Sequence, residues 1–305
     1  MDELVVGVDL GGTKIEAIIA RRRREPPAIE ILERRRIPTL RDEGYDAVLS
    51  RAATLIRDVT AGAGLDIRDV PVGVGMPGNI ARRTGLVKNS NTVCLNGRPF
   101  REDLAHALGR PTAFANDANL FALAEATLGA AAAHRDGVVF GVILGTGVGG
   151  GVVIRGELWE GAQGIAGEWG HHAVFAGRGE PCYCGNRGCL ESYASGPAVE
   201  AAYAAMAGER RPLTEIAQRR ATDPHAAAAI EGLLEAFGRG VANLIDVLDP
   251  SAVVLGGGVS NLEVLYDEGR ARVASLVFND ELETPILRHA LGDSAGVLGA
   301  ALIAS

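Results

Sequence analysis

Leu4–Ala20 runs LVVGVDLGGTKIEAIIA. Leu4–Leu10 is apolar and β-branched and predicts a strand, Gly11-Gly12 predicts a turn, and Ile15–Ala20 predicts a returning strand. The motif Asp9-Leu10-Gly11-Gly12-Thr13-Lys14 therefore lies in a hairpin turn. A Rossmann or Walker loop joins a strand to a helix, so this is neither. Two glycines let the backbone approach an anion, and unpaired amides in such a turn form a nest for it. Thr13 and Lys14 add a hydroxyl and a positive charge, and Asp9 can face a hydrated magnesium ion. A plain β-turn is the alternative.

The second half of the chain repeats the plan. Val138–Leu144 and Val148–Ile154 flank Leu144-Gly145-Thr146-Gly147-Val148-Gly149, and Ala252–Leu255 runs into Gly256-Gly257-Gly258. Two Gly-rich turns, one per domain, can grip a polyphosphate from opposite sides, and the third cluster admits an adenosine moiety. The 18 uncharged residues Gly137–Ile154 approach the length of a membrane span, but seven are glycine, which favours two buried strands. Arg21–Arg24 with Pro26-Pro27 reads as a solvated, charged loop, and Ile29–Ile37 as a third strand. Val70–Met76 and Thr112–Ala115 are further strands. Helices are expected over Tyr45–Ala61, Phe100–Leu108, Asn116–Leu128, Ala198–Ala205, Ala226–Val247, Asn261–Leu276 and Ala295–Ile303. The fold class is α/β, as two domains of related plan with a cleft between them.

Composition is that of an ordinary soluble globular protein. The 305 residues suit two domains or one large one. With 47% apolar residues the chain can build a core, which excludes disorder as its main state. A net charge of −8 argues against nucleic acid as a partner. The N-terminus has neither a basic nor an apolar signal region, which suggests a cytoplasmic protein with no membrane partner.

Three of the four cysteines cluster: Cys182, Cys184 and Cys189, while Cys94 stands alone. With Glu168-Trp169-Gly170-His171 upstream, His171 and the three cysteines make a thiolate-rich set of four suited to tetrahedral zinc. Four protein ligands leave no open position, so the metal would be structural. His172 is the competing ligand, and three unrelated thiols are the alternative. Glu168 and Glu191 flank the loop and can bond sugar hydroxyls or simply face solvent. In Ala115-Asn116-Asp117-Ala118-Asn119 a strand feeds a helix. Asp117 there is either a helix cap or a general base that takes a hydroxyl proton during phosphoryl transfer.

These residues together resemble the ROK family of sugar kinases and repressors, over nearly the whole chain. The matched residues are Asp9–Lys14, Pro77-Gly78, Asn116-Asp117, Gly145-Thr146-Gly147, Glu168-x-x-His171, Cys182/Cys184/Cys189 with Glu191, and Gly256–Gly258. The resemblance implies an actin-like (ribonuclease H-like) ATPase fold whose last helix returns to the N-terminal domain. Its domains would be residues 1–115 with 292–305, and 116–291 with the zinc loop. It implies ATP and Mg2+ bound by Asp9, Gly11, Gly12, Thr13, Lys14, Gly145, Thr146, Gly147, Gly256, Gly257 and Gly258. It also implies Asp117 as base, and Gly78, Asn91, Asn116, Glu168, His171 and Glu191 as sugar contacts. Zinc would sit on His171, Cys182, Cys184 and Cys189, in a homodimer.

Finer runs resemble the bacterial fructokinase (mannofructokinase) branch: Val87–Asn91, Leu95–Phe100, Ala166–His171, Pro181–Gly185 and His289–Gly296. One departure is a short segment between His172 and Pro181. The expectation is phosphorylation of the 6-hydroxyl of fructose, with mannose or glucose also used. N-acetylglucosamine kinase and glucokinase share the same catalytic residues and are the alternatives, and a sugar-binding sensor is the non-enzyme one. A repressor would carry a helix-turn-helix before the phosphate hairpin, and here that hairpin starts at Leu4.

Overall fold

The computed structural model describes residues 2–175, 177 and 179–305. The chain forms two compact units: Met1–Gly129 with Glu160–Ile165 and Leu291–Ser305, and Ala130–Trp159 with Ala166–Ala290. In the first unit the strands are β1 (Glu3–Leu10), β2 (Lys14–Arg23), β3 (Ala28–Pro38), β4 (Val72–Met76), the short pair β5 (Asn79–Ile80) and β6 (Val87–Lys88), and β7 (Ala113–Asn116). Its helices are α1 (Tyr45–Gly62), α2 (Phe100–Leu108) and α3 (Asp117–Thr127). The second unit carries β8 (Val138–Leu144), β9 (Val148–Ile154), β10 (Glu157–Leu158), β11 (Ala252–Gly256) and β12 (Ile286–Arg288). Its helices are α4 (Glu191–Ala194), α5 (Gly196–Ala207), α6 (Leu213–Arg219), α7 (Pro224–Leu248) and α8 (Glu268–Ala274). The last helix, α9 (Ala295–Ile303), belongs to the first unit.

The two main sheets share one topology. Their orders are β3-β2-β1-β4-β7 and β10-β9-β8-β11-β12. In each, an antiparallel meander is followed by two parallel strands. Parallel strands covered on both faces should read as unbroken apolar runs. β1 does: Val6, Val8 and Leu10 enter the core under α1 and α2, while Gly7 faces α9.

α9 lies directly on the backbone of the first sheet. A Cβ on Gly7 would sit 2.5 Å from the Val297 carbonyl oxygen, and one on Gly73 of β4 would overlap that of Ala300. On the other side of α9, a Cβ on Gly299 would overlap the Leu120 carbonyl of α3. Arg22 holds the far end: Nη1 donates to the carbonyls of Ala301 (3.1 Å), Leu302 (2.8 Å) and Ala304 (2.9 Å), and Nη2 pairs with Glu3 at 2.7 Å. These are the carbonyls a helix C-terminus leaves unsatisfied.

Three expectations change. Arg21–Arg23 is not a solvated loop: it continues β2, and Arg22 is only 4% exposed because it clamps α9. The region 261–276 is not one helix but 3-10 turns followed by the short α8. The division of the chain also falls after Gly129 rather than at 116, because α3 packs on α9. Among the described residues no helix is long and apolar enough to cross a membrane.

Candidate active site and metal cluster

In the first unit, the β1–β2 register sets Asp9 opposite Glu16, and the β2–β3 register sets Glu16 opposite Arg36. Glu16 is 1% exposed and ion-paired to both Arg34 (3.3 Å) and Arg36. Asp9 shares that face and ends its strand beside the first turn of α9, where a Cβ on Gly296 would lie 2.7 Å from Asp9 Oδ2. Burial first, then the charges of Asp117 and Glu16, pushes the Asp9 carboxyl up to about 6. Crowded carboxylates of this kind fit a hard divalent cation with oxygen ligands, which would relieve both the burial and the repulsion.

The turn after Asp9 is tied down by a residue that the motif does not announce. Thr39 is fully buried, its Oγ1 donates to the Gly11 carbonyl (2.7 Å), and its amide donates to the Thr13 carbonyl (2.9 Å). The Gly11 amide donates to the Lys14 carbonyl at 2.9 Å, closing the hairpin. Gly12 is flanked by side chains: a Cβ there would be 3.3 Å from an Arg41 guanidinium nitrogen and 3.7 Å from Asn91 Oδ1. Arg41 was not among the sequence candidates. Its only signal is an exposed arginine just past β3.

At the α3 N-terminus two side chains reach one amide. Asn116 is the cap residue, its Oδ1 accepting from the Ala118 amide at 2.8 Å while its Nδ2 donates to the Gly78 carbonyl at 3.1 Å. Asp117 Oδ1 accepts from the same amide at 2.8 Å, and the residue stays exposed. Asn116 and Asp117 thus share the capping of that amide. Gly78 has φ 81°, and a Cβ would crowd the Lys88 carbonyl (2.5 Å) and the Ser90 amide (2.7 Å). Only glycine fits there.

In the second unit, glycines do two different things. Gly149, Gly150 and Gly151 are not part of the turn: they lie within β9. A Cβ on Gly150 would strike Trp169 and Phe140, and Trp169 Nε1 donates to the Gly149 carbonyl at 2.8 Å. Glycine here seats the segment that carries Glu168 and His171. In the turn itself, a Cβ on Gly147 would lie 2.8 Å from Glu191 Oε2, which accepts from the Val148 amide at 2.8 Å. Gly145 and Gly258 differ, since a Cβ at either would meet nothing within 4 Å. Their backbones face open space, as a close ligand requires. Gly257, at φ 83°, instead abuts the Leu144 carbonyl.

His171, Cys182, Cys184 and Cys189 come together with their donor atoms within 4.8 Å of one another. The Cys184 and Cys189 sulfurs are 3.7 Å apart, and Cys182 Sγ is 3.6 Å from His171 Nδ1. A tetrahedral zinc with ordinary bond lengths has edges of about 3.8 Å between sulfurs and about 3.6 Å between sulfur and nitrogen. A disulfide would need about 2.05 Å. The donor set and its spacing therefore fit zinc. His171 Nε2 lies 3.0 Å from the Tyr183 hydroxyl, a partner that orients the ring. His172 is excluded from the cluster: its ring stacks on Trp169 and its Nδ1 meets the Trp169 carbonyl.

The ROK family pattern matches residues 5–305, and the chain belongs to that family. It is 37% identical to N-acetyl-D-glucosamine kinase of Photobacterium profundum, over 97% of this chain and 98% of that one. It is similar to the ROK hexokinase of Thermus thermophilus, with a TM-score of 0.85 and 35% identity over 99% and 97% of the two chains. A ROK family glucokinase of Streptomyces griseus, solved with glucose and AMPPNP, gives a TM-score of 0.74 and 29% identity over 99% of both chains. The two-domain, actin-like α/β fold follows.

The fructokinase expectation is corrected by several relatives at 34–37% identity, all of them N-acetyl-D-glucosamine kinases. The structure supplies the physical reason. Asn96 Oδ1 accepts from the Ser90 amide and its Nδ2 donates to the Ser90 carbonyl, both at 2.9 Å. The Gly97 amide donates to Val87 at 2.8 Å. The fructokinase-like runs Val87–Asn91 and Leu95–Phe100 thus supply bonds that hold one loop together.

The raised Asp9 carboxyl makes a signed prediction. Protonation favours the folded state here, so the stability it contributes is full below about 4 and is lost as pH rises through about 6. In metal-free protein, Asp9→Asn should gain about 2 kcal/mol on wild type between pH 4 and pH 7, read from urea unfolding. An equal pH dependence in both proteins would contradict it.

Proposed function

We propose that this protein is an ATP-dependent hexosamine kinase that phosphorylates the 6-hydroxyl of N-acetylglucosamine. The observation that carries this reading is the 37% identity to an N-acetyl-D-glucosamine kinase along practically the full length of both chains. Asp117, exposed at the start of α3, is the general base. As the sugar oxygen bonds to the γ-phosphorus, Asp117 takes the hydroxyl proton and the bond to ADP breaks. Positioning and charge stabilisation dominate such transfers. The amides of Gly12 and Thr13, with Lys14 and Arg41, would receive phosphate oxygens in the first unit. In the second, the open backbone at Gly145 and Gly258 would receive the nucleotide. Asp9 would hold magnesium, which supplies charge neutralisation on the phosphates.

Gly78, Asn91, Asn116, Glu168, His171 and Glu191 are the proposed sugar partners. Glu191 has one oxygen fixed by the Val148 amide, which orients the other. His171, Cys182, Cys184 and Cys189 are proposed to hold a structural zinc that fixes the loop carrying Glu168 and His171.

An ADP-release assay over a hexose panel tests the reading. N-acetylglucosamine should exceed glucose, mannose and fructose in kcat/KM, and Asp117→Asn should lower kcat by about 10²–10⁴. Another hexose in first place overturns the substrate, and near wild-type turnover of the variant overturns the base.

Metal analysis of purified protein should find about one zinc per chain, unchanged in Cys94→Ser. A folded, active preparation with less than about half an equivalent contradicts the zinc assignment.

A further inference from the structure

Thr39 bolts the chain just past β3 to the phosphate turn, through the Gly11 and Thr13 carbonyls. The residue after it is strained. Leu40 has φ 51° and ψ 50°, the left-handed region, where a Cβ is crowded by its own backbone. Its side chain is 42% exposed, so packing does not offset that strain. Backbone strain of this kind collects at functional sites. Here it lies directly before Arg41, whose Nη1 stands 3.3 Å from the point a Cβ on Gly12 would occupy.

Arg41 is exposed and has no hydrogen bond or ion pair among the described residues. Its neighbours differ. Arg34 and Arg36 pair with Glu16, Arg35 pairs with Glu33, and the nearby Glu43 is taken by Arg51 at 2.9 Å. A guanidinium stays charged and presents a planar fork of donors that suits phosphoryl oxygens. The surroundings of Gly12 indicate which phosphate it meets. The same point beside Gly12 lies 3.7 Å from Asn91 Oδ1 and 3.8 Å from Thr92 Oγ1. Asn91 is one of the proposed sugar partners, so Arg41 stands where the phosphate turn borders the sugar. Of the three phosphates of ATP, only the γ-phosphoryl crosses that border.

We propose that Arg41 is a catalytic residue whose guanidinium binds the oxygens of the γ-phosphoryl group and stabilises their charge during transfer. No bond to Arg41 forms or breaks. The sugar oxygen bonds to the γ-phosphorus, the bond to ADP breaks, Asp117 takes the hydroxyl proton, and the guanidinium keeps its own protons. The inference rests on the kinase reading and deepens it, by separating the residue that meets the transferred group from those that hold the rest of the nucleotide.

Calorimetric titration of magnesium-loaded ADP and AMPPNP, and of N-acetylglucosamine, into wild type and Arg41→Met tests it, together with ADP release. Arg41→Met should bind ADP and the sugar within about twofold of wild type and AMPPNP at least fivefold more weakly. Its kcat should fall by about 10²-fold or more, in keeping with arginines that act on a transferred phosphoryl group. A residue that merely supported the turn would weaken ADP and AMPPNP alike. Equal weakening of the two nucleotides, or a folded Arg41→Met with near wild-type kcat, overturns the proposal. Arg41→Lys keeps the charge but cannot take two oxygens at once, and should stay at least tenfold below wild type in kcat. Were Arg41→Met not to fold, full turnover by Arg41→Lys with an unchanged AMPPNP-to-ADP ratio would overturn the proposal in its place. The nucleotide ratio does not depend on the sugar, so the two claims separate. A wild type that binds AMPPNP but phosphorylates no hexose counts against the kinase reading alone, whereas phosphorylation with an unchanged nucleotide ratio in Arg41→Met counts against the role of Arg41 alone.

Discussion

Helix α9 rests on bare backbone. Where it crosses β1 and β4, the sheet presents Gly7 and Gly73, and neither position has room for a methyl group against the carbonyls of Val297 and Ala300. That contact brings the C-terminal segment onto the N-terminal strands and makes them one unit. Arg22 fixes one end of the helix by donating charge-assisted hydrogen bonds to three carbonyls, and removing such a buried donor would leave those groups unpaired. Just before the helix, the Leu291 amide donates to the fully buried Glu125 at 2.9 Å. Between these anchors the first turn of α9 comes to Asp9, with Gly296 again making the space. The electrostatics of Asp9 thus depend on where a helix nearly three hundred residues away is docked.

The second unit uses the same device. β9 gives up its side chain at Gly150, where a Cβ would strike Phe140 and Trp169, so that Trp169 can lie on the strand. Glu168 and His171 are carried on that segment, and the cysteine cluster closes it from the other side through His171. Glu191 then reaches from the start of α4 to the Gly145–Gly147 turn. One short stretch of chain therefore couples the Cys/His cluster, a carboxylate and a glycine turn.

Much of this was readable from residue types. The strands β1, β2, β8 and β9 announced themselves as apolar runs around glycines, and helices α2 and α9 matched their observed spans. The metal cluster was visible because three thiols and an imidazole within nineteen residues have few other uses. Arg22 was not visible, since an arginine inside a run of arginines carries no sign of the three carbonyls that await it. Nor were Thr39 and Arg41, whose relation to the Gly11-Gly12 turn exists only after the sheet has formed. The hexose was misread for a related reason: motif runs around Ser90 and Asn96 also carry the bonds that build a loop. Glycine was ambiguous throughout, because the same residue serves ligand approach at Gly145 and packing at Gly150.

Amide hydrogen exchange on Gly73→Ala tests the dependence on the α9 contact most directly. A methyl group at that position must push α9 off β4. Amides of α9, β1 and β4 should then lose protection by at least tenfold, while those of β8 and β11 in the second unit keep theirs. Unchanged protection in α9 and β1 would contradict the account, because the helix would then be held by something other than its seat on the glycines.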